Sequence, residues 1–136
     1  MLKFPYGISD FHRLVTGHYF YVDRTAQIRW LEDTGDQLLF LRPRRFGKSL
    51  LLSMLENYYD VAKAGEFDKL FGHLAIGANP TTKHNQYFVL KWDFSMVSPA
   101  GEVSDIQQSL YDHINGCIEQ FVVHYRHLLD YEITLD

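Results

Sequence analysis

From Arg42 to Ser49 the chain reads Arg-Pro-Arg-Arg-Phe-Gly-Lys-Ser, residue types suited to holding a chain of phosphates. A phosphate cradle needs convergent backbone N–H groups, a helix N-terminus whose dipole favours anions, and a cation for the outer phosphates. Gly47 would let a phosphate approach the main chain, Lys48 would reach the β- and γ-phosphates, and the Ser49 hydroxyl would hold Mg²⁺. The stretch departs from G-x-x-x-x-G-K-[ST] at its first position, where Arg42 replaces glycine. Proline pushes the residue before it into extended backbone, so Pro43 predicts an ordinary β-region Arg42 with its side chain leaving the loop. Four of the thirteen Lys and Arg residues (Arg42, Arg44, Arg45, Lys48) sit here, in a chain of net charge −4. That concentration points to an anion site. The plainer alternative is a basic surface turn.

Such a loop is delivered by one element and continued by another. The apolar run Leu38-Leu39-Phe40-Leu41 predicts a core strand over residues 37–41, and Leu51, Leu55 and Tyr58 share one face of a helix predicted over 48–60. Upstream, Ser9 or Asp10 caps a short helix over 11–15 that Gly17 ends. Asp23 caps a second, through Ile28, Trp30 and Leu31, stopped near Gly35. Residues 64–85, punctuated by Gly65, Gly72, Gly77 and Pro80, read as irregular structure around a Phe67-Leu70-Phe71 anchor. Tyr87-Phe88-Val89-Leu90-Lys91-Trp92 predicts a second strand, apolar enough for a parallel sheet. A long amphipathic helix follows from Ser104 to about Asp130. Strand, helix, strand, helix predicts an α/β fold with right-handed crossovers.

On such a sheet Asp93, at the end of the second strand, would share an edge with the phosphate loop. It would then accept from Mg²⁺-bound water or orient Arg44 or Arg45; alternatively it forms an Asx turn with Ser95. His124 and His127 stand near Asp130, a spacing open to a metal, but no Cys/His partner completes a site and a solvated face is the simpler reading. Cys117 falls on the apolar face of the last helix and reads as core.

Three ordered motifs carry a resemblance. Pro5-Tyr6-Gly7-Ile8-Ser9-Asp10-Phe11, Tyr21-Val22-Asp23-Arg24-Thr25 and Arg42-Pro43-Arg44-Arg45-Phe46-Gly47-Lys48-Ser49-Leu50 resemble the AAA-ATPase-like family of microbial proteins. The similarity runs over residues 5–94 and continues more loosely into the helix beyond. It implies a partial P-loop NTPase-like three-layer sandwich around a parallel sheet, C-terminally truncated, with ATP and Mg²⁺ as cofactors. Arginine at the first glycine position is usual in that family, and a PD-(D/E)XK nuclease-like domain often follows in a longer protein. The segment with Tyr21, Asp23 and Arg24 resembles the one that related ATPases place against the adenine. Its alternative role is helix capping by Asp23. With Pro43, Arg44, Arg45, Phe46, Gly47, Lys48 and Ser49 these three complete the candidate nucleotide site. Residues 1–36 would form an adenine-side helical segment and 37–136 an incomplete P-loop core of the same domain. The resemblance also implies a metal-holding acid on a later strand, and residues 131–136 show no convincing one. The chain therefore reads as the N-terminal part of a larger protein or a short gene product descended from one.

Composition bounds these readings. With 136 residues, 46% hydrophobic and 15% aromatic, the chain is long enough for one domain with a real core. No apolar run reaches a membrane span, and no signal sequence opens the chain. A single cysteine cannot make an internal disulfide, so the cytoplasm is the expected setting. Two functions remain: a Mg-ATP-binding module whose hydrolysis needs residues beyond this chain, or a domain gripping nucleic-acid or other phosphates without turnover. The acidic balance speaks against an extensive nucleic-acid face.

Overall fold

A computed structural model describes residues 1–129. They fall into two compact units, one of Met1–Tyr87 and one that begins at Phe88. The phosphate loop and both its flanks lie in the first.

Asp10 starts α1 (Phe11–Thr16) by accepting the Arg13 amide, as its sequence position predicts. Gly17 ends it, although the left-handed conformation falls on His18 (φ 53°) instead. Helix α2 (Gln27–Thr34) begins later than expected, because Asp23 does not cap it: its N-cap is Ala26. Asp23 instead closes a turn on Thr25, accepting from both its amide (2.9 Å) and its hydroxyl (2.7 Å). Helix α3 (Lys48–Tyr59) starts directly at the phosphate loop.

The segment expected to be irregular is largely helical. A 3-10 turn (Val61–Glu66) leads into α4 (Phe67–Phe71) and α5 (Ala75–Ala78). Gly72 and Gly77, which read as breakers, sit instead at close approaches. A Cβ on Gly77 would stand 2.0 Å from the Phe71 carbonyl oxygen. These short helices supply Leu70, Phe71 and Ile76 to the core, where they meet Phe11, Leu14, Ile28, Met54 and Tyr58. Phe71 stacks on Phe11 (centroids 5.0 Å apart) and takes the edge of Tyr58 at 5.3 Å. Rings packed in this way add to their area burial.

The parallel-sheet α/β sandwich is not what forms. Among the described residues there is no β-strand, only an isolated parallel bridge between Asp60 and Tyr87. Residues 37–41 and 87–92, expected as core strands, form none: apart from the bridge at Tyr87 they are irregular, and Leu39 is 84% exposed. An apolar run records a tendency to be buried, but a strand also needs a partner for its amides and carbonyls. Among the described residues these segments join no ladder, and the aromatic helical core of the first unit closes without them.

Long-range polar bonds lock that core. The Phe11 amide donates to the buried Ser53 Oγ (2.9 Å), pinning the start of α1 to α3. Thr25 Oγ1 accepts the Ile76 amide at 3.1 Å, and Asp23 Oδ2 accepts that of Ala75 at 2.7 Å. Glu32 Oε1 accepts from the Tyr59 and Thr81 hydroxyls, both at 2.8 Å. The second unit is built on α6 (Val103–Tyr125), whose Tyr125 hydroxyl accepts the Val89 amide at 2.8 Å while Phe88 packs edge-on against its ring. The predicted end of this helix near Asp130 lies outside the described residues.

Partial burial opposes ionisation of Asp23, but the hydrogen bonds from Thr25 and Ala75 outweigh it and hold its pKa below the ordinary 3.8. A depressed carboxylate contributes stability above its unfolded pKa and loses it as pH falls through the folded value. Asp23→Asn is therefore expected to cost stability near neutral pH, with the gap to wild type closing below about pH 4. Thermal melts of both proteins across the acid range check this. A gap that does not change with pH would show that the charge contributes nothing to the turn.

Candidate functional site

The phosphate loop is the turn that feeds α3. Its geometry follows from two left-handed residues, Arg45 (φ 65°) and Gly47 (φ 78°). Arg42 is not among the residues at positive φ, in line with the restriction Pro43 imposes. Its side chain turns back out of the loop: Nη1 donates to the Leu41 carbonyl (2.7 Å) and the guanidinium lies 5.3 Å from the Phe40 ring centroid. The missing first glycine therefore does not distort the loop. Gly47 serves conformation, since a Cβ there would meet no atom within 4 Å while its φ disfavours side chains.

Arg45 is the residue under strain. A left-handed L-residue costs roughly 1–2 kcal/mol, which glycine avoids. Arg45→Gly is expected to be more stable to urea than Arg45→Ala by about 1 kcal/mol, because both lack the guanidinium and only alanine keeps the unfavourable φ. Equal midpoints would show that the loop relaxes freely and stores no strain.

Lys48 Nζ donates to the Arg42 carbonyl oxygen (2.8 Å), spanning the loop from its last residues to its first. Helix α3 opens at Gly47 without a side-chain cap, so its first amides are not occupied by the sequence itself. Gly47, Lys48 and Ser49, with Arg45 and Leu50, form one side of a cavity of about 520 Å³. The volume falls within the range of small-molecule sites. Uncapped amides, two cations and a hydroxyl form a donor set that fits a polyphosphate and its metal, with Ser49 the hydroxyl available to Mg²⁺.

The rest of the lining is Tyr6, Gly7, Ile8 and Ser9, which sequence reasoning took as a family motif and a candidate helix cap but did not place in the nucleotide site. Just downstream of this turn the Phe11 amide bonds Ser53, a contact across 42 residues that no local pattern announces. The one signal available was the Pro5-Tyr6-Gly7 turn chemistry immediately before α1. Pro43, Arg44 and Phe46 are exposed and do not line the cavity. Nor do Tyr21, Asp23 and Arg24. Tyr21 packs against Phe11 (5.6 Å), and burial followed by the charge of Asp23 raises its pKa.

In the second unit, Asp93 Oδ1 accepts from the Ser95 amide (3.0 Å) and hydroxyl (2.6 Å), the Asx turn weighed above. Those bonds hold its pKa below the usual carboxylate value. The sheet edge that would have aligned Asp93 with the loop is absent among the described residues. Cys117 is half-buried, with Sγ 3.6 Å from His113 Nε2. No group of three His, Cys, Asp or Glu residues with metal-binding geometry occurs among the described residues, and Asp130 lies outside them. No described helix is long and apolar enough to cross a membrane.

Comparison with known proteins adds to this geometry. A family model described as AAA-ATPase-like, predicted AAA-ATPase, matches residues 5–135. A protein of Azotobacter chroococcum mcd 1, described as an uncharacterized protein in the vnfD 5′ region, is 41% identical over 103 residues. The match covers 75% of this chain and 17% of that protein, so the chain spans less than a fifth of this relative's length. No solved structure matches.

Proposed function

We propose, from the premise that the chain belongs to the predicted AAA-ATPase-like family, that it is a Mg-ATP-binding module whose phosphate site is the loop from Pro43 to Ser49. The observation that carries this reading is the cavity in front of α3, lined on one side by Arg45, Gly47, Lys48 and Ser49. In the bound state the first amides of α3 and the Lys48 ammonium neutralise the phosphates, and Ser49 contributes its hydroxyl to Mg²⁺. Lys48 gives up the Arg42 carbonyl to do so.

Binding is the activity proposed for this chain by itself. The cavity lining contains no carboxylate, so nothing on it completes the metal's coordination or orients an attacking water. Turnover requires an acidic group from elsewhere in a longer protein, and a nuclease-like domain downstream is one arrangement the family permits. We take the setting to be cytoplasmic, in keeping with the single cysteine. Calorimetric titration of the chain with Mg-ATP tests the reading. Saturable binding is the expected result, whereas binding of phosphodiester polymers but not Mg-ATP would favour a nucleic-acid phosphate site.

A further inference from the structure

We propose that Tyr6 is the base-stacking residue of the nucleotide site, and that the turn it opens forms the nucleoside wall for a purine. This rests on the phosphate-site reading above and extends it to the other half of the ligand. The cavity has two chemically different sides. One is cationic and rich in amides; the other is the turn at Tyr6, Gly7, Ile8 and Ser9. A nucleotide has the same division. With phosphates on the loop, the base is left to the remaining lining residues, those of the Tyr6 turn and Leu50.

The wall has the properties a base needs. Tyr6 is fully exposed, at 100% of its reference area, and its ring meets no other ring among the described contacts. Gly7 holds φ 68° and has nothing within 4 Å of the position a Cβ would take, so the turn is open beside the tyrosine. Ile8 and Leu50 both line the cavity while packing on the core, giving it an apolar portion. Just downstream of the turn, the Phe11 amide makes its buried bond to Ser53 Oγ.

Tyr21, the aromatic residue that resemblance would put against the adenine, is already engaged with Phe11. Asp23 beside it is occupied by Thr25 and Ala75. Neither lines the cavity. Tyr6 is the aromatic side chain that does. Stacking on a single ring depends on the extent of the π-face more than on its edge pattern, so it favours purines over pyrimidines and separates adenine from guanine only weakly.

The test titrates the full chain with Mg-ATP and with Mg-tripolyphosphate, in wild type, Tyr6→Ala and Tyr6→Phe. Tyr6→Ala is expected to weaken Mg-ATP by about five- to tenfold and leave tripolyphosphate unchanged, while Tyr6→Phe keeps wild-type affinity for both. Its exposed side chain makes a folding defect improbable, and unchanged melting temperatures verify that. Should wild type and Tyr6→Ala bind Mg-ATP equally, the base-stacking role is overturned while the phosphate site stands. If wild type binds neither ligand, both readings fall together. An equal loss for both ligands in Tyr6→Ala would also overturn the role, since tripolyphosphate has no base.

Discussion

Replacing Lys48 with alanine is expected to weaken Mg-ATP binding by about 10- to 100-fold, the range for losing a hydrogen bond to a charged partner. Lys48 is one of two cations on the cavity lining, and the motif directs it at the outer phosphates. Arg45, the other, also lines the cavity but stands before Gly47, outside the Gly-Lys-Ser segment that opens α3. The same ammonium bonds the Arg42 carbonyl in the free chain, so its full contribution to binding is reduced by the contact it leaves. Loss of that exposed contact is expected to change unfolding free energy by no more than about 1 kcal/mol. Calorimetry and urea denaturation of the same two proteins separate the effects. Undiminished affinity in the variant would remove the loop as the nucleotide site.

The largest expected effect on stability is at Phe71, whose substitution by alanine should cost about 3–5 kcal/mol. The ring has no exposed area and touches three others, stacking on Phe11 and Phe67 and meeting the edge of Tyr58. Set against the roughly 5–15 kcal/mol typical of whole domains, this is a fifth or more of the stability of the unit that contains the loop. Phe71→Leu preserves apolar volume and should be much milder. Denaturation followed by near-ultraviolet circular dichroism reads the loss directly from the aromatic environment. A cost near 1 kcal/mol would place the stabilising core elsewhere. The consequence reaches the site, because Phe11, just downstream of the Tyr6 turn, rests on Phe71.

What could be read from the sequence was local. The Asp10 cap, the apolar face of α3 and the long periodicity of α6 each depend on residues within a few positions; the first two appear at or near their predicted bounds, and α6 starts where expected but gives way to a 3-10 turn after Tyr125. The ordinary backbone of Arg42, not at positive φ, was legible too, because Pro43 restricts its neighbour through covalent geometry. Helices α4 and α5 were hidden by their shortness and by Gly72 and Gly77, which packing requires for close backbone approach rather than for a break. The strands failed for another reason. Leu38 to Leu41 and Phe88 to Trp92 have the right composition, but pairing is a property of two segments and composition describes only one. The Tyr6 wall was similarly out of reach, since it meets the loop only in the folded chain.

The side-chain bonds that close the first unit pass over the phosphate loop. Phe11 joins Ser53, Asp23 joins Ala75, Thr25 joins Ile76 and Glu32 joins Thr81, each linking chain before Arg42 to chain after Ser49. Within the loop the bonds are short-range, from Lys48 to Arg42 and from Arg42 to Leu41. Backbone continuity there is consequently not what keeps the two stretches together. A protease nick among the exposed arginines would leave two fragments with matched faces, Phe11, Leu14 and Ile28 on one and Tyr58, Leu70 and Phe71 on the other. Their reassociation would become a matter of concentration rather than of tether. The loop is thus free to be rebuilt for its ligand, in length or in sequence, while the fold that presents it is maintained by residues outside it.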